Sequence, residues 1–422
     1  MISTDEFATR VADASHTIID TRPLAAYNGW RLAGEARGGH VPGARSLPLE
    51  WTRFMDWIEV LEGKGLDPSR SVTVYGYAPD DADAMVNYLA RLGYGHVEPY
   101  HGFIAEWAAD PERPIRRLER YRHLVHPAWL HALIGGGTPE APPRGDWVLC
   151  HAHFDHPADY ARGHIPGALS LDTNLLETPE TWNRRSPDQL RDALLGLGIT
   201  HDTTVVLYGR FSHPTYEQPD PGKSAGQLAA MRCALIMLYA GVKDVRVLNG
   251  GIHAWEAAGL PLSTDPVAPR PVAGFGAQIP GRPDYVMDMP EARRLVESDG
   301  GELVSVQGWA EYIGEFSGYH YIEKKGRIPG AVFGNTGSDA YHMENLRNLD
   351  NTTREFGEVA RAWSEAGIVP EKHLAFYCGT GWRASEAFMN AWLMGWPRLA
   401  VYDGGWYEWS GDLANPIATG AP

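Results

Sequence analysis

One short motif occurs three times along the chain, and this recurrence limits the possible folds more than any other feature. Gly39-His40-Val41-Pro42-Gly43-Ala44 returns as Gly163-His164-Ile165-Pro166-Gly167-Ala168 and again as Gly326-Arg327-Ile328-Pro329-Gly330-Ala331. Upstream of each lies a short β-rich run: Thr17 to Asp20, Trp147 to Cys150, and Leu303 to Val306. Downstream comes an apolar run in each copy, at Val72 to Tyr75, Thr204 to Tyr208, and Leu374 to Tyr377. A fourth matching piece closes each copy: His101 to Trp107, Gly250 to Trp255, and Gly404 to Trp409. Three copies in one order, spaced far beyond a solenoid period, predict three homologous domains. Strand alternating with helix predicts the α/β class, with a mostly parallel sheet flanked by helices in each domain. Pro-rich stretches at Ala109 to Pro114 and Pro266 to Pro271 place the junctions near residues 120 and 270, giving domains 1–120, 121–270 and 271–422.

Chemistry concentrates in the third copy. The aromatic-rich run Ala375 to Tyr377 reads as a buried strand, and Cys378 stands at its C-terminal end. The short loop Gly379-Thr380-Gly381-Trp382-Arg383 follows, and Ala384 to Met394 has helical spacing. A cysteine at such a turn faces backbone N–H groups and a helix N-terminus, both suited to a sulfur anion. Two glycines let the loop turn those groups inward. This is the design of a nucleophile or a sulfur carrier. The first two copies carry Gly76 and Gly209 at the matching position, so both are expected to be inactive and to wall the third site. Cys150 falls at the end of a first strand, in register with Asp20 and with Val306 or its neighbour, and reads as a packed thiol. Cys233, in an apolar helical stretch, reads as core. The second copy also inserts Arg210 to Lys223, too long for an anion cradle; it covers the site, meets another chain, or is simply solvated.

Composition excludes several functions. The chain has 422 residues, 44% of them hydrophobic and 21% charged, so it is globular. With 37 basic and 53 acidic residues the net charge is −16, which excludes non-specific nucleic-acid binding. Three cysteines make no disulfide framework and point to a reducing cytoplasm. The first residues lack the pattern of a signal peptide, and no apolar run is long enough for a membrane span. The run His151, His153, Asp155, His156 reads as a solvated histidine-rich loop, so no metal site is expected. No glycine pattern for a nucleotide is present. Fifteen Trp and nineteen Tyr are enough to line a pocket for a flat or cationic molecule.

The repeats and the Cys378 loop together resemble the rhodanese-like sulfurtransferases, over essentially the whole chain. That resemblance implies a cysteine persulfide as the covalent intermediate, with no further cofactor. The third copy, from Glu311 through Trp409, is similar to the multidomain rhodanese-like enzymes that make ergothioneine anaerobically. The segments Gly-Arg-Ile-Pro-Gly-Ala, Ser-Asp-Ala-Tyr-His-Met-Glu-Asn and Tyr-Cys-Gly-Thr-Gly-Trp-Arg-Ala-Ser carry the likeness. It implies loading of Cys378 by polysulfide and transfer of the outer sulfur to the imidazole carbon of hercynine, a betaine. Tyr319 matches the proton donor. Glu311, Asp339, His342 and Thr380 match ligands of the ring nitrogens, and Trp382, Trp406 and Tyr407 match aromatic faces for the trimethylammonium group. Arg383 is assigned to the persulfide loop. On the residues alone, Tyr319 is equally a packing tyrosine, Glu311 a surface carboxylate and Asp339 a turn cap. Two other readings remain: a general thiosulfate or 3-mercaptopyruvate sulfurtransferase, and a non-enzymatic sulfide-sensing or scaffold protein. A homodimer is left open.

Overall fold

A computed structural model describes residues 2–211 and 225–422. The chain divides into two compact units, the first ending at Arg122 and the second running from His123 to Pro422. From residue 212 on, the insertion Arg210 to Lys223 lies outside the described residues.

The first unit holds one parallel sheet of four strands, β1 (Thr17–Asp20), β2 (Arg45–Ser46), β3 (Val72–Tyr75) and β4 (Val97–Tyr100), in the order β2-β1-β3-β4. The second unit holds two parallel sheets of five strands. One comprises β5 (Leu124–Val125), β6 (Trp147–His153), β7 (Leu169–Asp172), β8 (Thr204–Gly209) and β9 (Asp244–Leu248), ordered β5-β9-β8-β6-β7. The other comprises β10 (Val286–Met287), β11 (Gly301–Ser305), β12 (Val332–Phe333), β13 (His373–Tyr377) and β14 (Leu399–Tyr402), ordered β10-β14-β13-β11-β12. The two five-stranded orders are identical copy for copy. The central strands β3 and β8 are buried throughout and β13 is buried from Leu374 on, as expected of parallel sheets covered on both faces.

The repeated motif has a mechanical role. In each copy its Pro-Gly pair forms a turn with the glycine at positive φ, 80°, 85° and 82° at Gly43, Gly167 and Gly330. The turn delivers a backbone N–H to the hydroxyl of the tyrosine ending the central strand. Val41 donates to Tyr75 at 3.1 Å, Ile165 to Tyr208 at 2.8 Å, and Ile328 to Tyr377 at 3.2 Å. The closing segments repeat a second bond, from the indoles of Trp107, Trp255 and Trp409 to the carbonyls of Pro114, Pro261 and Pro416. Much of the tryptophan content is therefore structural.

Strand register fixes the equivalences. Tyr75 pairs with Asp20, Tyr208 with His151, and Tyr377 with Ser305. The residues that follow these tyrosines, Gly76, Gly209 and Cys378, thus occupy one position in three copies. The same register corrects the reading of Cys150. It lies inside β6 opposite Leu207, one residue before the position of Asp20 and Ser305. The histidine run is also corrected. His151 and His153 belong to β6 and are buried, not part of a solvated loop.

Helix Gly226–Ala240 lies between the two sheets of the second unit. All of its residues are buried, and it packs against β8, β6 and helix Trp382–Leu393. A helix apolar on nearly all sides suits such a sandwiched position, and Arg232 is its one charge.

Candidate active site

Cys378 sits at the C-terminal end of β13, where ligands bind in open parallel sheets. Gly381, at φ 87°, reverses the chain into helix Trp382–Leu393. The loop carbonyls are tied away from its concave side. Trp406 N–H donates to the carbonyl of Cys378 at 2.7 Å, and Tyr407 N–H to that of Gly379 at 2.9 Å. Among the described residues, no N–H from Gly379 to Arg383 finds a protein acceptor. A row of unpaired N–H groups at a helix N-terminus is a cradle for an anion.

Arg383 is buried. Its Nη1 and Nη2 each donate to one carboxylate oxygen of Glu311 at 2.9 Å. Nη1 also donates to the Asp339 carbonyl at 2.8 Å, and Nη2 to the Tyr319 hydroxyl oxygen at 2.9 Å. Glu311, itself fully buried, accepts a further bond from Gly308 N–H at 2.7 Å. The carboxylate that the sequence suggested as a substrate ligand is thus committed to an arginine. Burial opposes the charge of Arg383, and Glu311 more than restores it, holding the guanidinium well above its ordinary range. Burial pushes the Tyr319 hydroxyl well above its usual range, with the cation of Arg383 opposing. Because Arg383 fills the acceptor side of that hydroxyl, its proton is left to point elsewhere. The ring lies flat enough on the loop that a Cβ at Gly379 would stand 2.6 Å from Tyr319 Cζ and 2.9 Å from its oxygen.

A cavity of about 280 Å³ opens over this group. From the third sheet's domain it is lined by Tyr319, His320, Tyr321, Ala340, Tyr341, Thr380 and Trp382. Phe154, Trp182, Ala225 and Leu228 come from the second. The second domain therefore does wall the site. Trp182 packs on Tyr321 at 4.8 Å between ring centres, and Phe154 meets Trp382 edge-on at 5.5 Å. Burial raises the hydroxyl of Tyr321, and it pushes that of Tyr341 up to about 12, so both stay protonated.

Of the residues singled out from sequence, Tyr319, Thr380 and Trp382 line the cavity together. The others do not. Asp339 caps a turn, accepting from Tyr341 N–H at 2.9 Å and His342 N–H at 3.1 Å, and its Oδ1 lies 2.7 Å from His342 Nδ1. Trp406 is a core residue whose indole donates to the Lys324 carbonyl at 2.9 Å. Tyr407 stands behind the wall, edge-on to Trp182 and Tyr321 at 6.0 Å. Sequence reasoning missed Tyr321, Tyr341 and His320. The run Tyr-His-Tyr from Tyr319 to Tyr321, three consecutive ring-bearing residues that all line the cavity, was the available signal. For Phe154 and Trp182 no local signal exists. The other thiols are inert: burial pushes Cys150 up to about 12 and Cys233 well above its usual range. No cluster of metal ligands occurs among the described residues.

Comparison with known proteins agrees with this geometry. A model of the rhodanese-like domain matches residues 3–110, 153–258 and 288–412. The thiosulfate sulfurtransferase YnjE of Escherichia coli is 42% identical over 406 residues, 95% of this chain and 88% of that protein. EanB, solved as a threonine variant with hercynine, is 49% identical with a TM-score of 0.98, covering 100% of this chain and 98% of that one. It has also been solved as a tyrosine variant with a cysteine persulfide in a tetrahedral intermediate state with ergothioneine, at the same identity and TM-score and with 100% of both chains covered. The anaerobic ergothioneine biosynthesis enzyme of Chlorobium limicola, solved with trimethyl histidine, matches at 49% identity and TM-score 0.98 over 100% of this chain and 99% of that one. With three matching domains that span most of its length, this chain belongs to the rhodanese-like family.

Proposed function

We propose that this chain is a sulfurtransferase that carries sulfur as a persulfide on Cys378 and delivers it to the imidazole carbon of hercynine, forming ergothioneine. The observation that carries the reading is the placement of Tyr319. Its ring rests on the Cys378 loop, its hydroxyl oxygen is held by Arg383, and its proton is available to the cavity. In EanB the varied tyrosine and threonine stand at the same sequence separations from the persulfide cysteine as Tyr319 and Thr380 from Cys378.

Polysulfide is the donor we assign. The Cys378 thiolate takes one sulfur from it, forming an S–S bond and releasing a polysulfide shorter by one atom. The loop N–H groups hold the resulting terminal sulfur anion. The imidazole carbon is a poor electrophile, and a proton given by Tyr319 to a ring nitrogen raises its reactivity. The phenolate that forms is stabilised by Arg383, whose charge Glu311 secures. The outer sulfur then bonds to the ring carbon, giving a tetrahedral adduct. Loss of the carbon's proton forms the thione as the S–S bond breaks and Cys378 leaves as thiolate. The sulfane sulfur is reduced by the two electrons that the carbon gives up, so no outside oxidant is needed. The trimethylammonium group suits the aromatic walls at Trp182, Tyr321 and Trp382. A cavity of about 280 Å³ is at the small end for ligand pockets and fits a molecule of amino-acid size. The reducing cytoplasm is the location that keeps Cys378 free for loading.

Mass spectrometry after polysulfide, followed by addition of hercynine, tests the reading. A single-sulfur adduct of about +32 Da on Cys378, absent in Cys378→Ser and discharged with formation of a thiolated imidazole, is expected. An adduct discharged by cyanide but not by hercynine would replace this reading with a general thiosulfate sulfurtransferase, the activity named for the E. coli relative.

A further inference from the structure

We propose that Arg232, from the domain that lacks the cysteine, is a positioning residue for sulfur transfer in its neighbour. It locks the sulfur-bearing loop and two tryptophan walls of the acceptor cavity into one arrangement. This role rests on the transfer reaction proposed above.

Arg232 is the only charged residue of helix Gly226–Ala240 and is fully buried. A cation there is costly to desolvate, and an apolar side chain of similar volume would pack without that cost. Stability alone therefore does not account for it. Its contacts reach across the domain boundary. Nε donates to Glu177 at 2.9 Å, and Nη2 donates to Asp403 at 2.7 Å and to the Trp182 carbonyl at 2.6 Å. Both oxygens of the same Glu177 accept from the Trp382 indole N–H at 3.1 Å. One guanidinium thus holds Trp182 directly and Trp382 through a carboxylate, and these two tryptophans face the cavity from opposite domains.

The third direction leads to the loop itself. Nη1 is buried, has no hydrogen-bond partner among the described residues, and lies 3.1 Å from where a Cβ on Gly381 would stand. Asp403, the other end of the clamp, begins the segment whose Trp406 and Tyr407 N–H groups tie back the carbonyls of Cys378 and Gly379. Arg184 reinforces Asp403 through its backbone N–H at 2.8 Å and its Nη1 at 3.0 Å. Displacing Arg232 would release the walls and the loop together, and an ångström of misalignment is enough to slow an oriented transfer strongly.

The test compares two acceptors on the same loaded full-length protein. Cyanide discharges the Cys378 persulfide without needing the aromatic walls, whereas hercynine must be aligned by them. In Arg232→Met the ratio of hercynine to cyanide discharge rates is expected to fall about tenfold or more, with a raised hercynine KM. Arg232→Lys, which keeps a cation between Glu177 and Asp403, is expected to recover part of the ratio. Glu177→Gln, which keeps the side-chain shape and both tryptophan rings but removes the charge linking Arg232 to the Trp382 indole, is expected to lower the ratio in the same direction; it carries the test if Arg232→Met does not fold. An unchanged ratio in the methionine variant, or in Glu177→Gln when that variant alone folds, overturns the proposal, as does a lysine no better than methionine. If the unmodified protein loads sulfur but never discharges it to hercynine, the functional reading falls and takes this role with it.

Discussion

Gly379→Ala isolates the contact between the carrier loop and the proton donor. Gly379 is not among the positive-φ glycines, so an alanine there meets no backbone penalty. The whole effect comes from one methyl group against one ring. Its Cβ would stand 2.6 Å from Tyr319 Cζ and 2.9 Å from the hydroxyl oxygen, against an ordinary carbon contact of about 3.5–4.0 Å. Cε2 of the ring would be closer still, so the tyrosine must retreat by more than an ångström. Backing it are the Arg383 guanidinium, whose Nη2 is bonded to the hydroxyl at 2.9 Å, and the rings of Tyr321 and Tyr341. A misplacement of this size costs roughly 100-fold in an oriented reaction, while overpacking costs stability only about 1–3 kcal/mol. The assay is a single turnover: load with polysulfide, quantify the Cys378 adduct by mass, then follow its loss on adding hercynine. Loading should proceed, and transfer should fall by about two orders of magnitude. Transfer at the unmodified rate would refute the placement of Tyr319 as the group acting at the loop.

Tyr319→Phe keeps the ring on Gly379 and removes only the proton. Transfer to hercynine should drop by about 100- to 10,000-fold in the same single-turnover assay, and a smaller loss would assign the acid to another group. Glu311→Gln leaves Arg383 buried with one neutral acceptor in place of a carboxylate. Denaturant unfolding should record a loss of about 3 kcal/mol, near the low end for a broken buried pair because the amide oxygen still accepts one bond. Gly209→Cys does not restore a second carrier. A Cβ there falls inside van der Waals contact of the Gly226 carbonyl and 2.9 Å from Gln227 N, so polysulfide treatment should still give one sulfur-loaded cysteine. Two adducts would contradict that geometry.

What could be read from sequence was local or repeated. The motif at Gly39, Gly163 and Gly326 recurs because each copy needs the same turn to reach the tyrosine of its central strand. Cys378 was legible because the strand, the two glycines and the helix are contiguous. Gly76 and Gly209 were legible because strand register preserves the alignment. Tyr319 and Thr380 entered through family likeness, and both line the cavity. Trp406 and Tyr407 did not follow, because an aromatic pair beside a site looks the same whether it faces the cavity or the core. Glu311 shows a related limit: sequence cannot say that a carboxylate is paired with an arginine 72 residues away. The clamp was invisible altogether. Arg232 meets Asp403 across 171 residues and Trp382 meets Glu177 across 205, with no periodicity to announce either.

The backbone at Gly209 shows how the second copy differs from the third. In the third copy Cys378 leads into a loop that keeps its N–H groups unpaired before helix Trp382–Leu393 begins. In the second copy Gly226 is pressed against Gly209 so closely that no side chain fits between them. Helix Gly226–Ala240 begins at that closure, is buried along its entire length, and packs on helix Trp382–Leu393 as well as on its own sheet. An anion-binding loop has to stay open to substrate, and in the second copy the backbone closes that space. The matching position of the first copy is filled differently. There the Arg22 guanidinium, paired with Asp20 at 2.6 Å, lies over the Phe103 ring at 3.9 Å, and Thr21 Oγ1 stands 2.8 Å from where a Gly76 Cβ would be. Side chains fill that site, whereas backbone fills the second. From the helix that follows that backbone closure, the single buried arginine reaches the loop next door, with Arg232 Nη1 3.1 Å from where a Gly381 Cβ would stand.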